Sequence, residues 1–265
     1  MNAYVHGYHA RESVRLDDQA SALVELLHHD TAYPAGSHVL EAGCGTGSQT
    51  VTLARRSPHA RFTSIDISPL SLAQARARLA GIGNVELREA NVYALPFQRD
   101  SFDHVFVCFL LEHLPRPGEA LAALKNVLRP GGTITVIEGD HGSAYHHPQS
   151  ASAQRAIDCL VELQRRAGGD ALIGRRLYPL LVEAGFASVR VSPRMVYADG
   201  SDLALVDVFT RRTFTAMVEG VRDAALDAQL TSAAEFDEGV RALYRSAAPD
   251  GVFCYTFFKA LAEKR

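Results

Sequence analysis

Gly43-Cys44-Gly45-Thr46-Gly47 sets three glycines at alternate positions, and Asp66 follows the middle one by 21 residues. Glycines in this pattern allow a tight turn and let backbone N–H groups come close to a ligand. They also let the next helix pack tightly. A carboxylate about twenty residues on accepts both hydroxyls of a ribose. The chemistry on offer is recognition of a nucleoside. A nicotinamide dinucleotide would favour the GxGxxG spacing and a helix N-terminus for its pyrophosphate. Here the spacing is GxGxG, with Glu41 two positions before the first glycine.

A second group lies downstream. Glu112, His113, Glu138, Asp140 and His141 fall where the fourth and fifth strands should end, with Tyr145, His146 and His147 just after. Open α/β sheets bind ligands at the carboxyl ends of their strands. Glu138 and His141 are the candidates for a proton-accepting or acceptor-orienting pair, a role that supplies ~10²–10⁴-fold in rate. The spacing of Asp140, His141, His146 and His147 fits no metal-ligand pattern, so no metal is expected.

The elements that must hold these residues follow from periodicity. Strands are expected at 38–42, 61–67, 85–90, within 102–111, and at 133–138. Helices are expected at 48–56, 70–80, and around Leu121, Leu124 and Leu128, the last ended by Pro130-Gly131-Gly132. Alternation of strand and helix through residue 138 argues for a parallel sheet covered on both faces. Beyond it, helices are expected at 151–167, 177–184, 202–226 and 233–246, and strands at 189–197 and 252–261. The expected architecture is a Rossmann-like α/β fold with a seven-stranded, mostly parallel sheet and an inserted helical cap. It forms a single domain over 1–265. The core takes in about 21–142, 174–200 and 249–265, and the cap about 1–20, 145–173 and 201–248. Tyr178, Phe209, Phe214 and Met217 are candidates for an apolar wall in the inserted helices.

Composition removes other classes. Hydrophobic residues make up 47% and charged residues 22%, ordinary globular values. The longest apolar run, Val105 to Leu111, is too short to span a bilayer. Met1 to His9 holds no secretory core, and the cytoplasm is the expected location. With 27 basic and 30 acidic residues the net charge is −3. The arginines are scattered in pairs and form no phosphate track, so no nucleic-acid partner is expected. Cys44, Cys108, Cys159 and Cys254 have neither metal nor redox spacing and read as buried thiols.

The motifs VLEAGCGTGSQT (Val39 to Thr50), FTSIDIS (Phe62 to Ser68), EANVYALPF (Glu89 to Phe97), SFDHVFVCFLLEHL and LRPGGTITVIEGD (Leu128 to Asp140) resemble, in order and spacing, those of the class I S-adenosylmethionine-dependent methyltransferases of the small-molecule branch. The resemblance implies S-adenosylmethionine as donor and S-adenosylhomocysteine as product. By position, Glu41 and the backbone of Gly43, Gly45 and Gly47 would hold the methionine part, and Asp66 the ribose. Ile67 would pack on adenine. Asn91 and Val92 lie in the segment that meets adenine. Asparagine at 91 departs from the common aspartate, though an amide can still bond the adenine amine. Phe109 and His113 would line the end of the fourth strand near the sulfonium. In similar enzymes an N-terminal helix closes over the cofactor, which would bring Tyr8 and Arg15 to its carboxylate.

The segment after the fourth strand, Val107-Cys108-Phe109, lacks the paired prolines of base-amine methyltransferases. The YHARESVRL, EGDHGS and FCYTFFKAL segments resemble a bacterial subgroup that includes secondary-metabolite methyltransferases, some acting on the indole 3-carbon. The implied partner is a small organic acceptor. Nitrogen or oxygen methylation of a metabolite or quinone-like ring, and cofactor binding without transfer, stay open. So does the choice between monomer and homodimer.

Overall fold

The computed structural model describes residues 23–265; Tyr8, Arg15 and the 1–20 part of the expected cap lie outside them. The sheet has seven strands in the order β3-β2-β1-β4-β5-β7-β6. They are β1 (His38–Ala42), β2 (Arg61–Asp66), β3 (Val85–Glu89), β4 (Phe102–Cys108), β5 (Leu128–His147), β6 (Ala187–Asp199) and β7 (Val252–Glu263). The β1–β2, β2–β3, β1–β4 and β4–β5 pairings are all parallel. The order runs outward from β1 to β3, then returns to β4 on the other side of β1. That reversal makes the carboxyl ends of β1 and β4 the switch point of the sheet, the ligand position in doubly wound sheets.

The chain forms two compact units. One comprises Leu27–Glu138, Ile173–Pro193 and Phe258–Arg265; the other includes Gly139–Leu172 and Arg194–Phe257. In the first, α1 (Val24–His28) leads into β1. Then α2 (Ser48–Arg56), α3 (Pro69–Arg78) and α4 (Pro117–Val127) alternate with the strands, and α6 (Leu177–Glu183) returns after the α5 helix of the other unit. The core is built from Leu40, Ile65, Val105, Leu121, Leu124 and Ile134, all 0–1% exposed. Strands buried on both faces explain the near-continuous apolar run of β4.

In the second unit α5 (Ala151–Arg166) lies against α8 (Ala233–Arg245), with α7 (Arg222–Asp227) before it. Ser150 and Ser232 cap α5 and α8 by accepting from the N–H three residues on. A Cβ at Gly239 would meet the Ser152 carbonyl oxygen at 2.4 Å, so glycine is what lets the two helices approach.

Two expectations are corrected. The stretch 202–226 is not one α-helix. Val206–Thr215 is wound as a π-helix, and Thr213 Oγ1 donates to the Val208 carbonyl five residues back at 2.8 Å. The helix then breaks at Gly220 before α7. The buried stripe of Val206, Phe209, Met217 and Val221 survives this rewinding. Strand five is also far longer than 133–138. It begins at Leu128, a residue expected on the helix, passes through the Pro130-Gly131-Gly132 segment expected to end that helix, and continues through His147. His146, expected just after the end of the strand, is buried within it, because alternate residues of a strand face opposite sides: Ala144 and His146 are buried, Tyr145 and His147 exposed.

Lys259 on β7, only 7% exposed, pins the chain ahead of β1. Its ammonium donates to the Leu27 carbonyl at 3.0 Å, Asp30 Oδ1 at 2.5 Å and Thr31 Oγ1 at 2.6 Å. Lys259→Met should lower unfolding stability by about 1–3 kcal/mol, since it strips several acceptors of their donor. A urea titration of the variant against the parent checks this.

Candidate functional site

The glycine loop is closed by its own backbone. Gly43 and Cys44 N–H groups both donate to the Ile65 carbonyl, at 2.8 and 2.9 Å, and Gly47 N–H donates to the Cys44 carbonyl at 2.9 Å. Gly43, Gly45 and Gly47 all have positive φ. At Gly43 a Cβ would also sit 2.9 Å from Leu110 Cδ1, so this position needs glycine twice over. At Gly45 nothing among the described residues lies within 4 Å of where a Cβ would stand, which leaves that backbone open to a ligand on their side.

Asp66 ends β2 at the mouth of this loop. Its Oδ2 accepts from Gly45 N–H at 2.9 Å and its Oδ1 from Ser68 N–H at 2.8 Å. A carboxylate has about four acceptor sites, so both oxygens keep capacity for further donors. Ile67, the next residue, is 62% exposed, and Leu70 is 55% exposed. An isoleucine standing in water beside an acceptor carboxylate is a ready face for a flat apolar ring. Asn91 is exposed, and its Oδ1 accepts from Tyr93 N–H at 2.9 Å. Val92 is 9% exposed and belongs to the core of its unit.

Glu41 is 2% exposed on β1. Its Oε2 accepts from Thr50 Oγ1 at 2.7 Å and Ser64 Oγ at 2.6 Å. Burial outweighs these two donors and pushes its pKa up to about 7. The same burial, with Glu41 and Asp66 nearby, raises the Cys44 thiol, and burial likewise raises Cys108; all four cysteines are free and buried.

At the end of β4, Phe109 takes φ +54°, an uncommon conformation for a bulky residue, and its N–H donates to the Ile137 carbonyl at 2.9 Å. A 3₁₀ turn, Leu111–His113, follows. His113 is half-buried, its Nε2 3.7 Å from Glu112 Oε1. Glu138 is fully buried, and its Oε1 accepts from the N–H groups of Leu110 and Leu111 at 3.0 and 2.7 Å. Glu138 thus joins Phe109, His113 and the loop residues in the first unit.

His141 lies in the second unit, 6% exposed. Its Nδ1 is 2.7 Å from Tyr255 Oη, and its ring meets Phe214 edge-on with centroids 6.2 Å apart. Phe209 and Phe214 pack on Tyr255, with centroids 5.8 and 5.5 Å apart. Of the four expected wall residues, Phe209, Phe214 and Met217 are buried in this unit, whereas Tyr178 is 57% exposed on α6.

Three contributors escaped the sequence reading. Arg78, at the end of α3, donates through Nη1 to the Thr46 carbonyl at 2.9 Å, to Thr46 Oγ1 at 2.8 Å and to Ser48 Oγ. It ties α3 to the glycine loop. Leu110 roofs Gly43, and Tyr255 orients His141. No local pattern marks any of them; one arginine among many carries no signal.

Two outcomes follow from this geometry. Gly43→Ala should cost about 1–3 kcal/mol in unfolding free energy, from an unfavourable φ and the Leu110 contact, measurable by urea denaturation. Glu41 holds a proton in the folded state between its ordinary 4.5 and about 7, where the unfolded chain has released it. Stability therefore falls as pH rises through that window, by ~3 kcal/mol in all. Glu41→Gln should remove that part of the slope in urea midpoints taken across the same pH range.

Residues 39–132 match the family described as "Methyltransferase domain". A protein of Streptomyces fradiae, described as an uncharacterized 37.1 kDa protein in transposon TN4556, is 35% identical over 159 residues, 60% of this chain and 46% of that one. A demethylmenaquinone methyltransferase of Clavibacter sepedonicus is 38% identical over 104 residues, 39% of this chain and 42% of that one. The chain spans less than half the length of these curated relatives. Among solved structures, the YcgJ protein of Bacillus subtilis superposes with a TM-score of 0.61 at 15% identity, covering 92% of this chain and 98% of its own. The cyclase SpnF superposes with a TM-score of 0.56 at 20% identity, covering 94% and 81%. These two show the shared fold. Residues 39–132 of this chain are thus similar to a methyltransferase domain, and the whole described chain shares the fold of these solved structures.

Proposed function

We propose that the protein transfers a methyl group from S-adenosylmethionine to a small organic acceptor and releases S-adenosylhomocysteine. The observation that carries this reading is the open backbone at Gly45, bonded to Asp66 and flanked by the exposed Ile67. When bound, the cofactor supplies an electrophilic methyl on a positively charged sulfur. Glu41 and the glycine backbone take its methionine part, and Asp66 its ribose hydroxyls. Ile67, Asn91 and Val92 serve adenine, and Phe109 and His113 flank the sulfonium. The carboxylate of Asp66 at the mouth of the loop suits a cationic donor.

Alignment of nucleophile and methyl accounts for most of such a displacement, up to ~7–11 kcal/mol. A proton-accepting group adds to it where the acceptor must lose a proton. We assign that role to His141, whose ring is oriented by Tyr255 in the manner of a base held by a second group. The helices of 145–173 and 201–248 act as the cap and carry acceptor specificity, in one domain with the core. An electron-rich aromatic carbon such as the indole 3-carbon suits the Phe209, Phe214 and Tyr255 rings. A quinone-like ring is the second acceptor class, favoured by the demethylmenaquinone methyltransferase relative. The cyclase among the structural neighbours supports a third reading, cofactor binding without transfer. No helix among the described residues is long and apolar enough to cross a membrane. We place the protein in the cytoplasm as a monomer or homodimer, without a nucleic-acid partner.

Incubation with methyl-labelled cofactor and a panel of indoles, phenols, hydroquinones and amines, read by mass spectrometry with NMR of the product, tests this. The expected result is one labelled methyl on one acceptor. His141→Ala should then lower kcat by ~10²–10⁴-fold. Asp66→Ala should raise the cofactor KM by about 10–100-fold through lost charge-assisted hydrogen bonds. Intact cofactor after long incubation with every acceptor, with tight binding retained, would favour the non-transferring reading.

A further inference from the structure

Glu138 is 0% exposed and meets the chain in an asymmetric way. Its Oε1 receives the N–H groups of Leu110 and Leu111, whereas its Oε2 has no hydrogen-bond partner among the described residues. A general base and an anchor make opposite demands on such a group. A base must be ionised and within reach of the proton that it removes. An anchor needs one acceptor oxygen in a fixed place.

The surroundings favour the anchor. Burial and the neighbouring Glu112 hold the Glu138 carboxyl well above the usual range, and the backbone N–H groups of Leu111, Leu110 and Glu112 only partly oppose this. Cys108 on β4 faces Glu138 and also feels Glu41 on β1, Glu112 and Lys259 on β7, with His113 beside Glu112 in the 3₁₀ turn; Lys259 is the one fixed cation of this set and is bonded to Asp30. The two N–H groups that Glu138 receives belong to the residues just after Phe109, whose positive φ needs an external hold. Leu110 then fills the space over Gly43, with Cδ1 and Cβ 2.9 and 3.1 Å from where a Cβ there would stand. A continuous path runs from Glu138 through the turn to the glycine loop, all within one unit.

We propose that Glu138 is a positioning residue: through the Leu110 and Leu111 N–H groups and the Leu110 side chain it holds the glycine loop in its ligand-ready shape, and it takes no proton from the acceptor. The functional meaning of that shape rests on the cofactor reading above.

The test uses Glu138→Gln, Glu138→Ala and Leu110→Ala. Glutamine keeps an acceptor oxygen where Oε1 stands but cannot serve as a base; alanine keeps neither. S-adenosylhomocysteine affinity by calorimetry, hydrogen exchange of the Leu110 and Leu111 amides, and the pH profile of kcat are measured on the full chain. Glu138→Gln should match the parent in all three. Glu138→Ala should exchange those amides faster and bind S-adenosylhomocysteine about tenfold more weakly, the loss expected from two hydrogen bonds. Leu110→Ala should weaken binding in the same direction, and it carries the test alone should Glu138→Ala not fold. A Glu138→Gln variant with parental binding but kcat down ~10²–10⁴-fold would identify a base and overturn the proposal. Parental binding in Glu138→Ala or Leu110→Ala would overturn it too. If the parent itself binds no S-adenosylhomocysteine, the cofactor reading fails. The amide exchange then decides the anchor separately: faster exchange in Glu138→Ala upholds it, and unchanged exchange ends it.

Discussion

The carboxylate of Asp66 accepts the Gly45 N–H with one oxygen and the Ser68 N–H with the other. That bridge joins the loop after β1 to the start of α3, and the remaining site geometry depends on it. Gly45 is held with its backbone open, and Ser68 accepts from Ser71 N–H to cap α3. From the end of α3, Arg78 reaches back to Thr46 and Ser48. Gly47 fits under the same helix, where a Cβ would come within 3.2 Å of Ala75 Cβ. One charged group thus orders a loop that is otherwise rich in the most flexible residue of the chain.

This ordering has an electrostatic cost. Glu41 and Glu138 are buried, and Glu112 is nearly so. Buried carboxyls resist ionisation unless donors or cations compensate. Hydroxyl donors offset part of the cost at Glu41, and backbone N–H groups part of it at Glu138. A structure selected for stability alone would gain by replacing such groups with apolar ones. Their presence together beside the switch point of the sheet is the pattern of a site in which charge serves function.

The second unit has a different character. Its centre is aromatic, with Phe209, Phe214, Phe253, Tyr255 and Phe257 packed at centroid distances of 4.7–6.1 Å. His141 joins this cluster through Tyr255 Oη and the edge of Phe214. The π-helix sets Phe209 and Phe214 five residues apart and so places both against the same ring of Tyr255. An α-helix would rotate one of the two away by more than a full residue step.

The sequence alone determined the alternation of strand and helix through residue 138, the glycine loop between β1 and α2, and the acidic residue at the end of β2. These are local patterns: apolar periodicity, and glycines where φ must be positive. The tertiary structure decided which groups meet. Glu138 lies 28 residues from Leu110, and His141 lies 114 from Tyr255. No short-range pattern encodes those pairs, because packing of distant segments creates them. The π winding of 206–215 and the long β5 were hidden for the same reason. Helical spacing reads nearly alike for α and π, and the turn signature of Pro130-Gly131-Gly132 survives as a positive φ at Gly131 and a break in the β4–β5 register inside the longer strand.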